Sequence, residues 1–360
     1  MKEIGEIYNF CAGPAVMPVP VMEKVQKELR NYGGSGMSVM EISHRSEAFK
    51  EILSGAKSRL KALMNVPDDY AILFLQGGAS LQFPMVPMNL GKGAYVITGR
   101  WAQKAYEAAA LQKKGVAVDG SADKDFGYIP KIDPASIPKD ADYLHICDNN
   151  TLYGTRYFEP PETGGVPLVS DMSSCILSRP CDVKKYGLIY AGAQKNIGPA
   201  GLCVVIIRKD LLERPVDEGV PLMLRYKTYY EFGSMYNTPP TFSVYVAGLV
   251  FAWLQDLGGL EVMEEINKEK SKLLYSAIAD SALYINNVPP RDRSIMNVPF
   301  RLRNRALEPK FLEKAEKEGL MNLKGHWSIG GIRASIYNAM PIEGVKKLVN
   351  FMQKFERENL

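Results

Sequence analysis

Val166–Ile207 reads VPLVSDMSSCILSRPCDVKKYGLIYAGAQKNIGPAGLCVVII. Three short apolar runs stand in it: VPLVS, GLIYAGA and GLCVVII. Each has the length and β-branched content of a buried strand. Asp171 closes the first run, and Lys195 lies just past the second. A carboxylate and an amine are thus expected on neighbouring loops at one edge of a buried sheet, where open α/β sheets place ligands. Small apolar residues surround Lys195, unlike the polar cluster of a solvated loop. A lysine in a partly desolvated site has a depressed pKa and forms Schiff bases. An acid one strand away can hold a protonated pyridine nitrogen. Lys plus Asp is therefore the protein's share of pyridoxal-phosphate chemistry. Taken singly, either residue is more simply read as an exposed charge.

Upstream, YAILFL (70–75) reads as a strand running into Gln76-Gly77-Gly78-Ala79-Ser80 and an apolar helix. Strand, glycine turn and helix together make a phosphate site: bare N–H groups and the helix's positive end face an anion. Ser80 adds a hydroxyl. AYVIT (94–98) is a strand that delivers Trp101 to its end, where an indole can stack on a pyridine ring. YLHIC (143–147) is a strand before Asp148-Asn149-Asn150-Thr151. Ser46 can cap a helix with Phe49, Ile52, Leu53, Ala56, Leu60 and Leu63 on one face. Residues 208–240 read as irregular. From Thr241 to about Ser281 the pattern is helical with a break at Gly258-Gly259. Further strands are expected at SIMNVPFRL and GGIRASIY, and helices at Glu308–Gly319 and Glu343–Arg357. Arg333 falls in an apolar strand, so its charge must be paired or face a cleft.

SDMSS with Lys195 in AGAQKNIGPAG resembles the phosphoserine aminotransferases, fold-type-I pyridoxal-phosphate enzymes. Further stretches that resemble the family are YNFCAGPA, SHRS, FLQGGASLQF, TGRWAQKAYEAA, DNNTLYGT, YNTPPTFSVYV and HWSIGGIRASIYNAM. They run in order from residue 8 to residue 340. The resemblance implies an α/β large domain at 16–255 with a mostly parallel seven-stranded sheet covered by helices. It also implies a smaller α+β domain at 256–360, joined by residues 1–15. It makes Lys195 and Asp171 catalytic. Gly78, Ala79, Ser80, Trp101, Thr151, Gln194, Asn237 and Thr238 become cofactor-binding, the last two across a dimer interface. His44, Arg45, His326 and Arg333 become substrate-binding, the first two reaching into the partner subunit's site and Arg333 on the α-carboxylate. The implied reaction is transfer of an amino group from L-glutamate to 3-phosphohydroxypyruvate, giving O-phospho-L-serine and 2-oxoglutarate, in a homodimer with shared sites. The sequence departs from many members in having Ala79-Ser80 for Gly-Arg and Trp327 for Arg.

Composition sets the outer bounds. The chain has 360 residues, net charge +4 and five cysteines. That length gives ample core. The charge is spread out, so neither nucleic acid nor a membrane is an expected partner. An odd cysteine count without a CxxC pair argues against a disulfide framework or a zinc site. No signal-peptide layout and no membrane-length apolar run are visible, so a reduced cytoplasmic protein is expected. The rival readings are another class-V aminotransferase, such as an alanine–glyoxylate type, a desulfurase, a cofactor-free Schiff-base aldolase, or a binding module that keeps only the fold. A desulfurase would need a reactive cysteine on a mobile loop.

Overall fold

The structure, a computed structural model, describes residues 7–360. The first six residues, part of the expected small domain, lie outside the described residues.

A seven-stranded sheet occupies the centre. Its strands are β1 (Tyr70–Leu75), β2 (Gly93–Ile97), β3 (Gly115–Gly120), β4 (Tyr143–Cys147), β5 (Leu168–Asp171), β6 (Leu188–Gly192) and β7 (Cys203–Arg208). Their order across the sheet is β1-β7-β6-β5-β4-β2-β3. All pairings are parallel except those of β7, which runs against both β1 and β6. The strand residues alternate between two cores, as a pleated strand requires. Leu73, Leu75, Tyr95, Tyr143, Val169, Tyr190 and Val205 belong to one core. Phe74, Val96, Leu144, Leu168, Ile189, Val204 and Ile206 belong to the other. Helices cover both faces, which is why these strands read as unbroken apolar runs.

Helix α1 is Val19–Glu28, α2 Glu47–Leu63, α3 Gly78–Leu90 and α4 Arg100–Leu111. α2 and helix 241–256 lie on one face, while α3 and α4 lie on the other. The α2 N-cap is Ser46, whose Oγ accepts the Phe49 N–H at 3.3 Å. Its six expected apolar residues are all buried.

Two expectations need correction. Residues 208–240 are not wholly irregular: Tyr226–Glu231 is a helical turn. It is fixed by Tyr226, whose hydroxyl donates to Gln82 Oε1 (2.8 Å) and whose N–H donates to Asn89 Oδ1 (2.9 Å). β3 went unread because glycines bound it and its residues are only half-buried on the sheet edge.

The C-terminal part builds its own three-stranded antiparallel sheet from β8 (Tyr284–Ile285), β9 (Asn297–Leu302) and β10 (Ile332–Ser335). Helices 259–279, 308–317 and 342–357 surround it. Phe10 enters this core, and Tyr8–Asn9 pairs with Leu320–Met321. Helices 241–256 and 259–279 meet at 84°. Gly258, at φ 103°, makes that break. Among the described residues no single helix is long and apolar enough to cross a membrane.

Lys270 ties helix 259–279 to the chain after β10. Fully buried, its amine donates to the carbonyls of Ile336 (3.2 Å), Tyr337 (2.8 Å), Asn338 (3.4 Å) and Met340 (3.1 Å). Lys270→Met removes this donor from all four carbonyls, of which Tyr337 O keeps the Met340 N–H (2.9 Å). It should cost about 2–4 kcal/mol, since a single stranded buried group costs about 1–3 kcal/mol. Denaturant unfolding at constant m-value measures this. A loss under ~0.5 kcal/mol would mean that the carbonyls find other donors.

Candidate active site

The parallel strands β1, β2, β4, β5 and β6 end on one side of the sheet, and a cavity of about 560 Å³ opens there. Its lining includes Gly78, Ala79, Ser80, Trp101, Thr151, Asp171, Gln194, Lys195, His326 and Arg333. Most of the residues singled out from the sequence thus meet in one place.

Lys195 sits on the turn after β6. Ala193 holds that turn, accepting the N–H groups of Ile197 (3.2 Å) and Gly198 (2.8 Å). Asn196, next in the chain, is pinned from two sides: its Nδ2 donates to Ile176 O (3.0 Å) and its Oδ1 accepts the Asn338 N–H (3.1 Å). The N-terminal segment packs over the lysine, because Ala15 N–H donates to Gln194 O (2.9 Å). A Cβ on Gly13 would lie 3.5 Å from Lys195 Cγ. Burial depresses the Lys195 pKa, and the Asp171 charge opposes part of that shift. The amine forms no salt bridge within 4.0 Å among the described residues. It is a half-buried nucleophile without a counter-ion.

Asp171 closes β5 and is buried more deeply than Lys195. Burial raises its pKa, while the Ser173 hydrogen bonds and Lys195 pull it down. Ser173 N–H (2.9 Å) and Oγ–H (2.6 Å) both donate to Oδ1, so Oδ2 is left to the cavity. Ser173 Oγ in turn accepts the Gly192 N–H (3.1 Å), fixing Asp171 against the end of β6.

The turn from β1 into α3 has Gly77 at φ 84° and Gly78 at φ 62°. A Cβ on Gly77 would strike Leu81 Cδ2 at 2.5 Å, whereas one on Gly78 would meet nothing within 4 Å. No side chain caps α3. Its first N–H groups therefore face the cavity bare, an anion cradle. Trp101 Nε1–H donates to Thr151 Oγ1 (3.0 Å), and Arg333 Nη1 donates to Thr151 O (3.3 Å). Arg333 is half-buried with no carboxylate partner among the described residues. His326 Nδ1 is hydrogen-bonded to Ser328 Oγ at 2.7 Å. Its pKa is lowered by burial first, then by Arg333 and Arg100.

These features fit pyridoxal phosphate. The glycine cradle suits its phosphate, Trp101 its ring face, Asp171 Oδ2 its ring nitrogen and Lys195 its aldehyde. The four residues are positioned by four different strand ends.

Some expected residues lie elsewhere. His44, half-buried, and the exposed Arg45 do not line the cavity. Neither do Asn237 and Thr238, although Gln76 Nε2 donates to Thr238 O (2.8 Å) beside the glycine turn. Other lining residues went unremarked in the sequence, chiefly Asn149, Ser173 and Ser174. Asn149 Nδ2 donates to Ser174 Oγ and to Asn297 Oδ1, both at 2.8 Å. Asn297 Nδ2 continues to Ser335 Oγ (3.0 Å) and Tyr337 OH (3.1 Å), and Tyr337 OH donates to Ala12 O (2.9 Å). This network joins the sheet edge to the C-terminal part along the cavity wall. Only the run DNN before Thr151 hinted at it.

Cysteine chemistry has no support here. All five cysteines are free. Burial pushes Cys147 and Cys175 well up and Cys181 to about 11, so these thiols stay protonated.

The model of the class-V aminotransferase family matches residues 7–348. The chain belongs to the class-V aminotransferases. A phosphoserine aminotransferase of Bacillus cereus is 52% identical over 357 residues, covering 98% of this chain and 99% of that protein. One from Listeria monocytogenes is 56% identical over 354 residues, with 97% and 96% covered. Among solved structures, the phosphoserine aminotransferase from Bacillus circulans subsp. alkalophilus superposes with a TM-score of 0.95 at 44% identity, covering 98% of this chain and 99% of that one. The PLP-bound enzyme from Trichomonas vaginalis gives 0.90 at 40% identity, with 96% and 99% covered. Within its family, then, the chain resembles the phosphoserine aminotransferases over nearly its whole length, and its architecture is that of fold type I.

Proposed function

We propose that this protein is a pyridoxal-phosphate-dependent phosphoserine aminotransferase. It moves the amino group of L-glutamate to 3-phosphohydroxypyruvate and thereby serves serine biosynthesis. The observation that carries the reading is the half-buried Lys195, free of any salt bridge, facing the same cavity as Asp171 and as Arg333, which has no carboxylate partner among the described residues.

Pyridoxal phosphate, when bound, supplies the electron sink that draws charge from the substrate's α-carbon. Lys195 holds the cofactor between turnovers. Its free amine would take the proton from the Cα of the amino donor and, in the second half-reaction, deliver one to the Cα of the amino acceptor, roles that its depressed pKa favours. Asp171 Oδ2 would hold a proton on the ring nitrogen, while Ser173 holds its other oxygen. Gly78, Ala79 and Ser80 would bind the phosphate, and Trp101, its indole fixed by Thr151, would supply an aromatic face for the ring. Gln194 closes the wall beside Lys195. Arg333 takes the α-carboxylate, for which a planar guanidinium offers two parallel donors, and His326 stands beside it.

Arg333→Ala should raise KM about 10- to 100-fold for phosphoserine and glutamate alike, the worth of a charge-assisted hydrogen bond. Steady-state kinetics on both substrates tests it, and an effect on phosphoserine alone would contradict the α-carboxylate role.

Asn237, Thr238, His44 and Arg45 are proposed to serve the partner's site in a cytoplasmic homodimer. The exposed apolar side chains of Met37, Met40, Phe232 and Tyr236 on the same segments support this. The division near residue 255, with the N-terminal strand joining the smaller domain, is supported by the separate core around β8–β10. Neither nucleic acid nor a membrane is proposed as a partner.

The function is tested by incubating the loaded enzyme with glutamate and 3-phosphohydroxypyruvate and measuring phosphoserine by mass spectrometry. Phosphoserine should form. Alanine–glyoxylate exchange without phosphoserine formation would replace the proposed substrate pair.

A further inference from the structure

We propose that Arg100 is the same-chain ligand for the distal phosphate of the substrate, held ready on the indole of Trp327. The inference deepens the proposed function and rests on it.

Arg100 is the first residue of α4 and precedes Trp101, which lines the cavity. Its guanidinium carbon lies 5.7 Å from the centroid of the Trp327 ring. Trp327 follows His326 and packs near it, with ring centroids 5.3 Å apart. Arg100 and Arg333 both bear electrostatically on His326. Arg100 does not itself line the cavity, but with Arg333 it flanks His326, which does, so three cationic or cationisable groups gather there from three elements: the start of α4, the 325–331 loop and β10.

Stability does not account for this arrangement. A cation in the first turn of a helix opposes the macrodipole and costs about 0.3–1 kcal/mol. α4 has no acidic residue in that turn to offset it. Arg100 forms no salt bridge among the described residues. Trp327 is 81% exposed, a large apolar surface given to solvent. Stacked together, the two make sense as a preorganised donor: the indole limits the guanidinium's freedom and leaves its edge N–H groups unspent. Two guanidiniums on either side of His326, neither in a salt bridge among the described residues, suit a substrate with two anionic ends. The deeper Arg333 takes the carboxylate, and the outer Arg100 takes the phosphate dianion. Neither Ser80 nor Trp327 can supply that charge.

The test is calorimetric titration of the cofactor-loaded enzyme with O-phospho-L-serine and with L-serine, which keeps the α-carboxylate and lacks the phosphate. Arg100→Gln should weaken phosphoserine binding about 10- to 100-fold and leave L-serine unchanged. Arg100→Lys should recover part of the loss, and kcat at saturating phosphoserine should hold. Undiminished phosphoserine binding in R100Q, or an equal loss for both ligands, overturns the role of Arg100 alone. Failure of the unmutated enzyme to bind phosphoserine overturns the proposed function, and this inference falls with it.

Discussion

Lys195→Ala is expected to abolish transamination while the protein stays folded. In the proposed mechanism the amine has two tasks, to hold the cofactor and to move the Cα proton. The second alone is worth about 10²–10⁴-fold, so a loss of at least about 10⁴-fold is expected in single-turnover rate. Stability should not suffer. The side chain is half-buried, and its desolvation disfavours the charged form. It forms no salt bridge, and its turn is held by the Ala193 carbonyl and by Asn196 rather than by the side chain. The cofactor-free variant should unfold at a Tm equal to or above that of the unmutated protein. Turnover at the unmutated rate would remove Lys195 from the chemistry, and a large drop in Tm would make it structural.

Asp171→Asn is the second large effect. With a neutral amide at that position the ring nitrogen loses its counter-charge, and about 10²–10³-fold in rate should go, the scale of one preorganised electrostatic contact. The fold should respond in the opposite sense. Burial raises the Asp171 pKa above the ordinary 3.8. In the window from pH 3.8 up to that raised value, the folded cofactor-free protein binds a proton that the unfolded chain has lost. Stability linked to Asp171 therefore falls as pH rises through the window and stays low above it. D171N lacks this dependence. Its stability relative to the unmutated apoprotein should improve from pH 4 toward neutrality, as denaturant titrations across that range would register. A D171N protein with full activity, or one that gains stability only on acidification, contradicts the assignment. Lost activity with retained or increased stability is the signature of a site strained for function.

Much of this was legible in the sequence because the signals were local. The strands carrying Asp171 and Lys195 announce themselves as short apolar runs, and the glycine turn precedes its helix directly. The α2 face was readable from spacing alone, since one helix pattern decides which six residues are buried. The direction of β7 was not readable: its apolar run fits a parallel or an antiparallel buried strand equally well, and only the short connection from β6 bears on it. β3 was lost to its glycines and half-burial. The Asn149–Asn297–Tyr337 network joins residues far apart in the chain, with no sequence period to mark it. Arg100 and Trp327 lie far apart in the chain and meet only in the folded structure. His44 and Arg45, singled out by resemblance, lie away from the cavity of their own chain, as residues serving a neighbouring subunit would.

The central claim is that Lys195 and Asp171 form one pyridoxal-phosphate site that accepts phosphoserine. It is tested most directly by the visible absorption spectrum of the purified, cofactor-loaded protein before and after O-phospho-L-serine is added. The account predicts a yellow band that is absent in Lys195→Ala and gives way to the pyridoxamine form on adding phosphoserine. A protein that develops no such band with added pyridoxal phosphate, or whose band ignores phosphoserine, would contradict it.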